Sequence, residues 1–129
     1  MVSGPKRAPV HERIRFLTRN DKQILLSDLS HCEARVVEEV VRKIPEIVAT
    51  FPLGSALVLT DFTGASFDHD SVMALKEAAV FNKPYVKKSA LVGTESLPRY
   101  VYDGMTNFAR REWGLFHSRT EALAWLVKE

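Results

Sequence analysis

The sequence predicts an α/β domain built on a mixed, mainly parallel sheet, and three observations carry that reading. Two short apolar-patterned segments near the start are separated by a polar turn, as in a hairpin. Ala56-Leu57-Val58-Leu59 is a continuous apolar run of the kind buried on both faces of a sheet, and a helical period follows it. From there strand-like and helix-like patterns alternate to the last residue. The expected order is β-β-α-β-α-β-α-β-α in a five-stranded sheet covered by amphipathic helices.

A chain of 129 residues is enough for one domain with a single core. Eighteen Lys and Arg against sixteen Asp and Glu, interspersed, lack the dense basic patch of a nucleic-acid binder. The lone cysteine, Cys32, excludes an internal disulfide and a thiolate metal cluster. No apolar run reaches the ~20 residues of a membrane span. The first residues also lack the hydrophobic region of a secretory signal. These features lead us to expect a cytoplasmic protein with a flexible tail over residues 1–10 and a domain over residues 11–129.

Each element has its own signal. Residues 11–18 alternate polar and apolar side chains, which reads as a half-buried edge strand able to pair across a homodimer. Ile24-Leu25-Leu26 completes the hairpin. Ser30 and Glu33 have capping-box spacing, and Val36, Val37, Val40, Val41, Ile44, Ile47 and Val48 then form one helical stripe. Pro45 inside that stripe predicts a kink or restart costing ~3 kcal/mol. A second helix begins near Asp68, with Val72, Leu75, Ala78 and Ala79 on one face. Residues 85–92 form the next strand, and a third helix starts near Ser96 with Leu97, Val101, Met105 and Phe108 inward. Gly114-Leu115-Phe116-His117 is the last strand, and Ser118 with Glu121 opens the last helix.

This order, with the residues after the third strand, resembles the STAS domain and more closely the SpoIIAA-like (STAS/SEC14-type) bacterial proteins. The resemblance spans roughly residues 11–129. In anti-sigma-factor antagonists of that class the third strand runs into D-L-S-G-V-x-F-x-D-S-S-G-L, and the second serine of D-S-S-G is phosphorylated. Here the stretch reads Asp61-Phe62-Thr63-Gly64-Ala65-Ser66-Phe67-Asp68-His69-Asp70-Ser71-Val72-Met73. Asp61, Gly64, Phe67 and Ser71 coincide with the pattern, while His69, Asp70 and Val72 depart from it. Lys88-Ser89-Ala90-Leu91-Val92-Gly93 and Thr120-Glu121-Ala122-Leu123-Ala124-Trp125-Leu126 look like the fourth strand and closing helix of the SpoIIAA-like group.

The resemblance implies a non-enzymatic regulatory or protein-binding module. Its contact would be carried by Asp61, Thr63, Ser66, Asp68, His69, Asp70 and Ser71, with Ser71 as the phosphorylation candidate. The plainer reading of Asp70 or Ser71 is a helix N-cap. Asp68-His69-Asp70 is the most metal-like cluster, yet consecutive residues do not share a helix face, so neither a metal nor a cofactor is expected. Thr63, Gly64 and Ser66 read as a polar turn or a small anion nest. No nucleophile–base pair stands out. The alternative function is a carrier or sensor of a small apolar or lipid-like ligand, held between sheet and helices by Phe62, Phe67, Met73, Met105 and Phe108.

Overall fold

In the computed structural model, which describes residues 10–108 and 112–128, a 3-10 turn (Val10–Glu12) leads into β1 (Ile14–Arg19) and β2 (Lys22–Asp28). Then follow α1 (Ala34–Val48), β3 (Ala56–Asp61), α2 (His69–Asn82), β4 (Val86–Val92), α3 (Arg99–Phe108), β5 (Glu112–Phe116) and α4 (Arg119–Leu126). The expected tail falls almost wholly outside the described residues. So do the side chains of Met105 and Phe108.

The described strands make one sheet in the order β1-β2-β3-β4-β5, antiparallel between β1 and β2 and parallel thereafter. A sheet laid down in chain order with right-handed crossovers places every crossover helix on the same face. The core agrees. Leu25, Val58 and Leu91 face α1, α2 and α3, whereas Ile24, Leu26, Leu57, Leu59, Ala90 and Val92 face α4. The central strands are therefore buried on both sides, which is why β3 reads as a continuous apolar run rather than an alternating one.

Local expectations fail in two places. The first helix does not restart at Pro45. Ile44 and Val48, on either side of it, are buried against β2, β3 and β4, and that burial outweighs the missing hydrogen bond to Val41. Nor do Ser30 and Glu33 form a capping box, since the N-cap is Glu33 and its side chain does not cap the helix. Ser30 is occupied elsewhere. The cap at the last helix does form, with Ser118 Oγ accepting from the Glu121 amide at 3.2 Å.

Candidate functional site

The carboxyl ends of the parallel strands carry a repeated local motif. Asp28-Leu29-Ser30 ends β2 and Asp61-Phe62-Thr63 ends β3, and Asp28 and Asp61 lie side by side in register. In each motif the aspartate accepts from the residue two positions on. Thr63 donates its amide (2.9 Å) and hydroxyl (2.6 Å) to Asp61 Oδ1, and Ser30 donates its amide (3.1 Å) and hydroxyl (2.5 Å) to Asp28 Oδ1. These are Asx turns, which end a strand by replacing ladder bonds with a local one. The two turns are also stitched together, with Leu29 N bonding Asp61 O at 2.9 Å and His31 N bonding Thr63 O at 2.7 Å. Gly93 closes the floor at φ +73°, where a side chain would collide with the Thr63 backbone.

Residues 24, 26 and 28, and 57, 59 and 61, alternate onto the α4 side of the sheet, so both carboxylates point toward that helix. Two like charges this close repel, and Arg119, the first residue of α4, resolves the conflict. Its Nε donates to Asp61 Oδ2 at 2.7 Å and its Nη2 lies 2.9 Å from Asp28 Oδ1. Arg13 and Arg15 complete the surround of Asp28, each at 3.9 Å, and Arg13 also donates to the carbonyls of Asp28 and Ser30. Burial pushes the Asp28 carboxyl upward, but Ser30 and Arg119 more than offset it, and the group titrates below its ordinary value. Burial likewise opposes the charge on Arg119, and its two carboxylates outweigh that.

The sign of the pH dependence follows. A carboxyl whose folded pKa is depressed contributes fully above its unfolded value of about 4 and loses that contribution as pH falls through the folded value. The urea midpoint is therefore expected to fall as acid is added below about pH 4, and Asp28→Asn should show a shallower fall. Equal slopes for the two proteins would remove Asp28 from the acid response.

The sequence-predicted residues fall into two groups. Asp61 and Ser71 are buried, Thr63 is half-buried, and Ser66, Asp68, His69 and Asp70 face outward. Ser71 was expected to display its hydroxyl, and instead it is 0% exposed. It forms the inner half of a capping box at α2: Asp68 Oδ1 accepts from the Ser71 amide at 2.8 Å, and Ser71 Oγ accepts from the Asp68 amide at 2.9 Å. The same hydroxyl donates to the Asp68 carbonyl at 3.1 Å, and the Ser71 bonds hold the Asp68 carboxyl below its usual range. The turn at Thr63, Gly64 and Ser66 has no amide left for an anion. Gly64 N bonds Ser96 Oγ, Ala65 N bonds Phe62 O, and Ser66 N bonds Cys32 O. Cys32 is buried in the core beneath α1 and α2.

Phe62 and Phe67 pack against each other at 6.1 Å between centroids, within the core beneath α1 and α2. Met73 lies on the outer face of α2, so these three residues do not share one pocket. Among the described residues no group of three or more His, Cys, Asp or Glu side chains converges as a metal set would.

An uncharacterized protein of the DUF3478 family from Shewanella loihica PV-4, whose crystal structure is described as having a SpoIIAA-like fold, aligns with a TM-score of 0.68. The match covers 88% of this chain and 91% of that one at 16% identity. This chain has a SpoIIAA-like fold. No family model matches its sequence, and no curated protein matches it. The likeness extends to architecture alone, so the roles of individual side chains in this SpoIIAA-like domain rest on its own geometry. Sequence reasoning singled out Asp61 and Thr63 but missed Asp28 and Arg119. The signal was there, in the D-L-S and D-F-T triplets at the ends of consecutive strands. Among the described residues no helix of the SpoIIAA-like domain is long and apolar enough to cross a membrane.

Proposed function

We propose that this domain is a non-enzymatic, cytoplasmic regulatory module that binds a protein partner through the outer face of α2 and the loop entering it. One observation carries the reading. The helix is apolar on both sides. Val72, Ala74, Leu75 and Ala78 are buried, yet Met73, Val80 and Phe81 are 39%, 56% and 48% exposed on the opposite side. Glu77 lies between them and Asp68, His69 and Asp70 stand at the upper end, which gives an apolar stripe with a charged margin. Such a face is costly to leave in water and is the composition of a protein contact. Of the residues expected to carry the contact, Ser66, Asp68, His69 and Asp70 are exposed, which supports the reading for these four. Asp61 and Ser71 act beneath them by holding the loop and the helix start.

The test is quantitative affinity capture with two surface variants. Met73→Glu with Val80→Glu should abolish recovery of the specific partners, whereas Thr18→Glu, exposed on the edge strand β1, should leave recovery unchanged. Equal recovery with both variants would overturn the reading. An apolar ligand between sheet and helices gains no support from Phe62 and Phe67, which are packed on each other.

A further inference from the structure

At the opposite end of the sheet, where the parallel strands begin, a groove of about 260 Å³ is lined by Lys22, Lys87, Lys88 and Lys128. Leu57, Leu126 and Phe51 form its apolar floor, with Gln23 and Ser55 at the margin. No aspartate or glutamate lines it among the described residues. We propose that this groove binds a small organic anion, a phosphate monoester or a close carboxylate analogue, with its charge on the lysines and a short apolar portion on the floor.

Charge is the first argument. The whole chain carries a formal charge of only +2, so four lysines in one groove leave the remainder of the molecule net negative. With four lysines and no acidic side chain among its described lining residues, the groove itself is locally positive. Two of the lysines have structural work. Lys22 Nζ donates to Val127 O at 3.2 Å, and Lys88 Nζ donates to Trp125 O at 3.2 Å and Lys128 O at 2.9 Å. Lys88 also lies over the Trp125 ring at 5.0 Å. Cations there suit the negative end of α4. That role does not account for Lys87 and Lys128. Among the described residues neither these two nor Lys88 has a carboxylate partner. Lysines fixed by backbone bonds beside exposed lysines with unneutralised charge give an anion a pre-positioned rim and two further cations to contact. The apolar floor distinguishes the site from an ion-exchange surface, because it rewards an organic group as well as charge.

The probes are hexyl phosphate and inorganic phosphate, titrated into the full chain at constant ionic strength and followed by amide-resolved NMR. Hexyl phosphate should bind saturably at about 1 mM or below, more tightly than inorganic phosphate, with shifts confined to Gln23, Ser55, Leu57 and Lys87 and their neighbours. Lys87→Ala with Lys128→Ala should weaken it about tenfold with the rest of the spectrum unchanged. Lys88 is left intact because it holds α4. The proposal is overturned if no saturable shift develops, if the double variant binds equally well, or if the protein binds phosphatidic acid vesicles but not hexyl phosphate. The last outcome would reassign the lysines to a membrane surface. The groove's Leu57 and Leu126 lie on the α4 side of the sheet and α2 packs on the other, so either site can fail without the other.

Discussion

Replacing Arg119 with alanine is expected to destabilise the domain by about 2–3 kcal/mol, read as a lower urea midpoint at unchanged slope. The guanidinium is the bridge between two carboxylates that sit side by side at the ends of β2 and β3, one of them with only 8% of its side chain exposed. Its removal leaves two like charges in proximity, with Asp61 Oδ2 deprived of the Arg119 Nε donor. The partial exposure of Arg119 keeps the effect below that of a fully buried ion pair. Two controls separate the causes. Arg119→Lys keeps the charge but cannot span both carboxylates with one planar fork, and it should lose about 1 kcal/mol. Asp61→Asn combined with Arg119→Ala should cost less than the sum of the two single changes, because each already breaks the same contact. Strict additivity would show that the bridge does not act as a unit.

The second large effect is at Ser71. Ser71→Asp is expected to cost about 3 kcal/mol, since it forces a carboxylate into a site with 0% exposure, next to the carboxylate of Asp68. Ser71→Ala removes the hydroxyl that accepts from the Asp68 amide and donates to the Asp68 carbonyl, and should cost about 1 kcal/mol. The consequence for function is direct. The aspartate substitution that would imitate phosphoserine in an exposed loop acts here as a core lesion, and any loss of partner capture by it must be compared with its loss of stability. For the same reason a phosphate on Ser71 requires the first turn of α2 to open. An Asp variant as stable as the parent would show that this turn opens at little cost.

Periodicity was sufficient for the architecture because both faces of the sheet are apolar and α1 has a regular inner stripe. β3 is legible as an uninterrupted run, and α1 is legible from Val37, Val40, Val41, Ile44 and Val48, all of which are buried. Local rules misled where a distant group competed. Ser30 has the spacing of a helix cap, but Asp28 is two residues away and takes its hydroxyl. Pro45 should interrupt a helix, but the sheet beneath rewards continuing it. Ser71 matches a phosphorylatable position by alignment, yet the residue at position 68 reaches its amide first and turns it inward.

What the chain determined alone is the succession of strands and helices, their inner faces and the polar break after β3, since these depend on neighbours within a few residues. Only the folded molecule decided that Asp28 and Asp61 stand in register, that Arg119, 58 residues beyond Asp61, joins them, and that lysines from β2, β4 and the end of α4 share one groove. Interactions between groups far apart in the chain have no sequence period. They exist only once hydrophobic burial has brought the strands together.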